Sequence, residues 1–136
     1  MLGSFRPLGR PLTSRVDAPL SSGIESFAAQ GFEGWPIGRI SALDGPPGSG
    51  KTRCALAAVA AAQRARLQVL YVDLEHALSV PLMTKTGVSL GLPVVRMTCP
   101  DDALQATLLA LRRGALDLLV VDTLALARQP RRWLAQ

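Results

Sequence analysis

The chain has 136 residues, 49% of them hydrophobic and 18% charged, and its net charge is +5. This length suits one modest domain with a single core, and the composition excludes a disordered chain. The best apolar run, residues 116–127, contains two aspartates, so we expect no membrane-spanning helix. No secretory signal is visible and the two cysteines are widely spaced, so we expect a cytoplasmic protein.

The positive charge is concentrated near the two ends of the chain. Residues 1–15 and residues 123–136 each carry three arginines and no acid. We divide the chain into a basic extended arm at 1–20, one domain at 21–127 and a basic tail at 128–136. Such segments occur as solvated arms without a partner, and they also contact nucleic acid phosphates; both interpretations stay open. The arginines that the second interpretation involves are Arg6, Arg10, Arg15, Arg128, Arg131 and Arg132.

The first predicted elements lead to a glycine-rich loop. A short helix at 21–30 and a turn at 31–38 precede the first predicted strand at 39–43, and an alanine-rich helix is predicted at 51–66. Between strand and helix lies Gly-Pro-Pro-Gly-Ser-Gly-Lys-Thr, with the Walker A spacing of a phosphate-binding loop. Such clusters are usually simple turns, but the strand–loop–helix context favours nucleotide binding. The predicted nucleotide-binding residues are Gly45, Pro46, Pro47, Gly48, Ser49, Gly50, Lys51 and Thr52.

This loop combines the groups that hold a nucleoside triphosphate. Glycines let backbone N–H groups approach phosphate oxygens, and the positive end of the following helix points to the same place. Lys51 can reach the β- and γ-phosphates and act in catalysis, and the Thr52 hydroxyl can ligate Mg²⁺. We therefore expect a nucleotide and Mg²⁺ as ligands.

Three further strands and two helices complete the predicted fold. The strands are predicted at 68–72, 94–97 and 118–121, and the helices at 80–86 and 102–113. Alternating strands and helices imply right-handed crossovers. The predicted fold is therefore α/β, a P-loop NTPase with a doubly wound, mainly parallel sheet of about four strands and flanking helices. The capping-box pair expected at the start of the second helix is Asp102 and Gln105.

Two acids at strand ends are candidates for the chemistry. Asp122 directly follows the fourth predicted strand, and a carboxylate at that edge of a parallel sheet can hold Mg²⁺. The next residue is Thr123, where many ATPases with this loop have a catalytic glutamate. Glu75, after the second strand, is the substitute that we expect, and strand alternation places it on one face with Asp73. The alternative for Glu75 is an ordinary exposed loop acid.

Four segments occur together, in this order, in one known family. They are residues 34–40, the Walker A loop, the run Val-Asp-Leu-Glu-His-Ala-Leu at 72–78, and Leu-Leu-Val-Val-Asp-Thr at 118–123. With them the chain resembles the RecA recombinase ATPase core from about residue 21 to residue 127. The resemblance implies ATP and Mg²⁺ as cofactors and gives Glu75 the role of activating the attacking water. It also implies filament formation on single-stranded DNA, strand exchange and DNA repair.

The chain departs from the family pattern at three positions near the site. Ser79 stands where the family usually has Asp, and Leu82 stands where an aromatic residue packs on the adenine. Asp44 precedes the Walker A loop, where we would expect an apolar or aromatic residue. A carboxylate there opposes bound phosphate unless it is turned away.

The largest departure concerns the sheet. Only 14 residues follow Asp122, whereas the family core continues with further strands and two DNA-binding loops. One of those later strands lies between the first strand and the strand that ends at Asp122. We therefore expect a truncated or diverged paralogue, or a protein whose sheet is completed by a second copy or another partner.

Three functions remain after these observations. The first is an ATPase of DNA recombination or repair that contacts single-stranded DNA through its arginine tails. The second is a non-catalytic nucleotide-binding accessory protein that acts on a recombinase or polymerase; the missing loops favour it. The third, a small P-loop kinase, ranks last because no substrate-binding insertion is visible.

Overall fold

The computed structural model describes residues 18–96 and 99–122, which alternate between helices and strands as an α/β protein does. The strand Val69–Asp73 is followed by two more strands, each reached through a helix. The predicted α/β class is therefore confirmed. In chain order the elements are α1 (Glu25–Ala29), α2 (Lys51–Arg64), β1 (Val69–Asp73), α3 (Val80–Lys85), β2 (Val94–Val95), α4 (Pro100–Arg112) and β3 (Leu118–Asp122).

The described strands form one parallel sheet in the order β2-β1-β3. β1 lies in the middle, and four of its residues are buried. Its register with β3 runs from Val69 opposite Leu118 to Asp73 opposite Asp122. The two strands therefore end side by side, and both end in an aspartate. Crossover sheets of this kind place ligands at the carboxyl ends of the strands.

Helix α2 supplies much of the core through small side chains. Leu56 and Val59 are fully buried, and four alanines of the same helix are at most 8% exposed. Alanine has the highest helix propensity, and its small side chain lets the helix approach the sheet closely. α2 lies against both β1 and β3. The buried core cluster consists of Leu56, Val59, Ala60, Ala62, Val69, Tyr71, Leu78, Met83, Val88 and Leu92.

The segment at 39–43 is not a strand, which corrects the prediction. Within residues 18–96 and 99–122 it pairs with no strand, and Ile40 is 87% exposed. A β-type sequence forms a strand only where a neighbour accepts and donates its backbone hydrogen bonds. In the family that the chain resembles, this neighbour follows Asp122, and no described residue takes its place. The described sheet has three strands where about four were predicted.

Helix α4 begins two residues before its predicted start. Its N-cap is Cys99, without a side-chain hydrogen bond, so the expected capping box at Asp102 is wrong. Pro100 takes the first helical position, where its missing N–H costs nothing. Asp101 and Asp102 lie in the first turn instead, where their charges favour the positive end of the helix dipole.

The chain before the Walker A loop is held by an isolated bridge. Leu20 and Trp35 exchange backbone hydrogen bonds of 2.9 and 2.7 Å, so the end of the predicted arm already contacts the domain. Phe32 packs edge-on against Trp35, with ring centroids 5.1 Å apart. Among the described helices none is long and apolar enough to cross a membrane.

Candidate nucleotide-binding site

The loop at residues 45–52, named the Walker A loop for its sequence spacing alone, is exposed at residues 46–49 and leads directly into α2. Gly50 is the N-cap of the helix, and its φ of +93° belongs to the left-handed region that favours glycine. A Cβ atom on Gly45 would lie 2.8 Å from Ser49 Oγ, so the Ser49 side chain would have to turn to admit a larger residue there. The Ser49 N–H closes the turn on Pro46 O at 3.1 Å. The predicted turn and helix start are therefore both present.

Lys51 holds this loop through its side chain. Its ammonium group donates to Gly45 O at 2.7 Å and to Pro46 O at 3.0 Å. The positive charge is thus anchored to the first two residues of the loop. An ammonium group has three donors, so one remains for a further acceptor while both carbonyl contacts persist.

The unusual Asp44 takes one of the loop's backbone donors. Its Oδ1 accepts the Gly45 N–H at 2.8 Å. That N–H stands at the start of the Walker A loop, and the carboxylate beside it is exposed to solvent. An incoming phosphate has to compete with this carboxylate for the N–H unless the Asp44 side chain turns away.

Thr52 and Asp122 meet although they are 70 residues apart in the chain. The Thr52 hydroxyl donates to Asp122 Oδ2 at 3.2 Å. Adjacent oxygen ligands of an octahedral Mg²⁺ with bonds of 2.0–2.1 Å are about 2.9 Å apart. Mg²⁺ is commonly held by one or two protein oxygens together with waters and substrate phosphates. A hydroxyl and a carboxylate at this separation fit such a site.

A third residue at this point, Tyr71, was not predicted from the sequence. Its hydroxyl donates to Asp122 Oδ2 at 2.8 Å, and the residue is 0% exposed. Burial raises the pKa of Tyr71 well above its ordinary value, and the hydrogen bond to Asp122 raises it further. The phenol therefore stays protonated and acts as a donor. The sequence did contain an indication, because Tyr71 lies within an apolar strand and a buried tyrosine hydroxyl usually has a hydrogen-bond partner.

The loop that follows β1 is anchored by Asp73. This fully buried carboxylate accepts the backbone N–H groups of Ala77 and Leu78, both at 3.1 Å. Arg96, just after β2, donates to Asp73 Oδ2 through Nε at 3.2 Å and to Leu78 O through Nη2. His76, inside the loop, has a left-handed φ of +55°. Sequence reasoning placed Asp73 on a strand face but missed both the loop anchor and Arg96.

Glu75 is an exposed residue of this loop. Strand β1 ends at Asp73, so the expected strand alternation does not reach Glu75: Asp73 is buried and Glu75 is not. The Leu74 N–H donates to Asp122 O at 3.2 Å. Glu75 therefore lies one residue from a hydrogen bond that joins its loop to Asp122.

The structure also accounts for two departures from the family pattern. Ser79 is the N-cap of α3, and its hydroxyl accepts the Leu82 N–H at 3.4 Å. Ser and Asp serve nearly equally well at an N-cap, so this exchange preserves the helix start. The Leu82 side chain packs against the core cluster. The six arginines proposed for nucleic acid contact lie outside the described residues.

Comparison with known proteins gives a consistent result. The family model of the RecA N-terminal domain matches residues 2–134. The chain is 39% identical over 124 residues to Protein RecA of a Nocardioides species and 36% identical over 126 residues to Protein RecA of Bacillus licheniformis. Both alignments cover 90% of this chain and 35% and 36% of the relatives, so the chain spans about a third of their length. The chain belongs to the RecA family.

Proposed function

We propose that this protein binds ATP with Mg²⁺ and acts as a RecA-type ATPase in DNA recombination or repair. The observation that carries the proposal is the hydrogen bond between Thr52 and Asp122. It joins the end of the Walker A loop to the end of β3, and the two residues have the chemistry of a magnesium site. Membership of the RecA family supports the same conclusion.

Each part of the site has a distinct task in this proposal. The backbone N–H groups of residues 45–52 and the ammonium group of Lys51 bind the phosphates. Thr52 and Asp122 hold Mg²⁺, whose chemistry at such a site is to neutralise charge on the phosphate oxygens. Glu75 accepts a proton from the attacking water and orients it. The anchored loop from Asp73 to Leu78 limits the positions that Glu75 can take.

DNA binding and assembly are further parts of the proposal. The arginines of residues 1–15 and 128–136 contact the phosphates of single-stranded DNA, with little sequence preference and a steep dependence on salt. A second copy of the chain or another partner pairs with residues 39–43 and completes the sheet.

Two lysines provide a matched test of nucleotide binding. Lys51 lies in the Walker A loop, and Lys85 lies in the last turn of α3. We expect Lys51→Ala to lower ATP affinity at least tenfold and to abolish turnover, because the phosphates lose their ammonium partner. Lys85→Ala should bind and hydrolyse ATP as the wild type does. Calorimetric titration with ATP and a phosphate-release assay, each with and without single-stranded DNA, measure both; equal ATP affinity in the two variants would refute the assignment.

The same assay tests the proposed base. Glu75→Gln keeps the size of the side chain but removes its basicity, so we expect turnover to fall by about 10²–10⁴ while ATP still binds. Glu33→Gln changes another exposed glutamate and should leave turnover unchanged. Full activity in Glu75→Gln would remove Glu75 from the mechanism.

A non-catalytic nucleotide-binding protein is the second candidate. Two observations favour it: Asp44 occupies a backbone donor of the Walker A loop, and Ile40 in the unpaired segment is largely exposed. ATP would then act as a structural ligand that stabilises the fold. A rise in melting temperature with ATP, combined with no phosphate release by the wild type, would establish this function in place of the first.

A further inference from the structure

Asp122 is held by a residue outside the nucleotide-binding motifs. Tyr71 lies in the middle of β1 and pairs in register with Val120, two residues before Asp122. Residues directly opposite each other in a sheet share a face, and so do residues two apart along a strand. Tyr71 and Asp122 therefore lie on the same face, which explains how the phenol reaches the carboxylate.

The position of the Tyr71 hydroxyl is fixed by its ring. The residue is 0% exposed and belongs to the core cluster formed by α2, β1 and α3. A closely packed aromatic ring has little freedom to turn, so its hydroxyl is a fixed donor. The hydrogen bond at 2.8 Å ties one oxygen of Asp122 to that point, and Thr52 donates to the same oxygen.

We propose that Tyr71 is a positioning residue for the magnesium site, because its hydroxyl holds the Asp122 carboxylate in the orientation that binds the cation. Because Thr52 and Tyr71 both donate to Oδ2, the Asp122 carboxylate is held in one orientation. Residues that orient a metal ligand typically change metal affinity by 10–100-fold when they are altered. The inference rests on the proposed ATP and Mg²⁺ function.

The test is the magnesium dependence of ATP binding by the full chain. ATP affinity is measured by calorimetry in EDTA and at increasing Mg²⁺ for the wild type, Tyr71→Phe and Thr86→Val. Tyr71→Phe keeps the buried ring and removes only the hydroxyl. Thr86→Val is the matched control, because it removes a hydroxyl that donates to backbone carbonyls of α3.

We expect Tyr71→Phe to raise the half-saturating Mg²⁺ concentration about tenfold and to leave ATP affinity in EDTA unchanged. Thr86→Val should change neither value. In an Asp122→Asn background, Tyr71→Phe should cause no further shift, because Tyr71 acts through Asp122. An unchanged Mg²⁺ midpoint in Tyr71→Phe overturns the inference, and so does an equal loss of affinity with and without Mg²⁺. No ATP binding by the wild type would instead reject the proposed function itself.

A second measurement keeps Tyr71 in place and does not depend on Tyr71→Phe. Tyr71 is the only tyrosine of the chain, so labelling tyrosine with ¹³C gives a single ring signal by NMR. We expect this signal to shift when Mg²⁺ is added to the ATP-bound wild type, and to stay in place when Mg²⁺ is added to ATP-bound Asp122→Asn. A signal that does not respond in the wild type contradicts the positioning role.

Discussion

At the scale of single residues, two neighbouring aspartates have different tasks. Asp73 and Asp122 stand opposite each other at the ends of β1 and β3. Asp73 is fully buried and accepts hydrogen bonds from the loop that follows it. Asp122 is partly exposed and meets Thr52 and Tyr71. One carboxylate therefore shapes the backbone, and the other is available to a ligand.

The buried phenol of Tyr71 predicts how stability depends on pH. Burial and the hydrogen bond to Asp122 raise the pKa of Tyr71 in the folded state. The contribution of the protonated phenol to the free energy of unfolding is therefore complete below the unfolded pKa of about 10, and it is lost as pH rises above that value. Between about pH 8 and about pH 11, the free energy of unfolding of the metal-free wild type should fall by about 1.4 kcal/mol relative to that of Tyr71→Phe. Urea unfolding of both proteins at the two pH values measures this difference. If the difference in unfolding free energy between the two proteins is the same at both pH values, the phenol ionises as readily in the folded protein as in the unfolded one.

At the scale of elements, the loop after β1 is held by an ion pair across the sheet. Arg96 follows β2, and its guanidinium group contacts both Asp73 and the Leu78 carbonyl. The pair is asymmetric, because Asp73 has no exposure while the Arg96 side chain is 48% exposed. Removal of the arginine leaves the Asp73 carboxylate buried with fewer partners. Leaving a buried charge in this state lowers the stability of the fold.

Arg96→Met should therefore lower the free energy of unfolding by about 1–3 kcal/mol, less than for a fully buried pair because solvent screens the guanidinium. Arg113→Met, at an exposed position just after α4, should change it by no more than about 0.5 kcal/mol. Denaturant unfolding of the two variants provides the measurement. Equal stability of both would mean that Asp73 is satisfied by the loop N–H groups alone.

The elements that could be predicted are those that depend mainly on their own local sequence. The strands β1 and β3 and the helix α2 follow from apolar runs and alanine content, and the structure places them within two residues of the prediction. The segment at 39–43 has a similar sequence pattern, but a strand also requires a neighbour, which local pattern does not reveal. The start of α4 was misplaced because Pro100 begins the helix earlier than the acids suggested.

The candidate site divides in the same way. The contact between Thr52 and Asp122 was predictable because the sequence assigned both residues to one expected magnesium site. The contacts of Tyr71 and Arg96 were not, because they depend on sheet order and register. A tyrosine in an apolar run is typical of a core, and Arg96 is 23 residues from its partner Asp73.

At the scale of the whole molecule, the described sheet is small and leaves apolar side chains near the site in solvent. Ile40 is 87% exposed and Leu43 is 41% exposed, both in the segment before the Walker A loop. Edges and segments of this kind are places where another chain can pair. This arrangement agrees with the proposal that a second copy or another partner completes the sheet.

A charge at Ile40 should therefore prevent self-association. We expect Ile40→Glu to shift the wild-type assembly towards monomer, because burying the carboxylate against a partner costs free energy. Leu90→Glu is the matched control: Leu90 is 61% exposed, lies outside this segment and should not affect the mass. Light scattering over a range of protein concentrations measures the mass. A monomeric wild type would refute self-association through residues 39–43.

Because the Leu74 N–H donates a hydrogen bond to Asp122 O, hydrogen exchange of this one amide proton can be used to follow the site. That proton is sheltered from solvent only while the ends of β1 and β3 remain side by side. It stands between the residue assigned to the cation and the residue assigned to the attacking water. Its exchange rate therefore reports, at a single position, how often the ends of β1 and β3 separate.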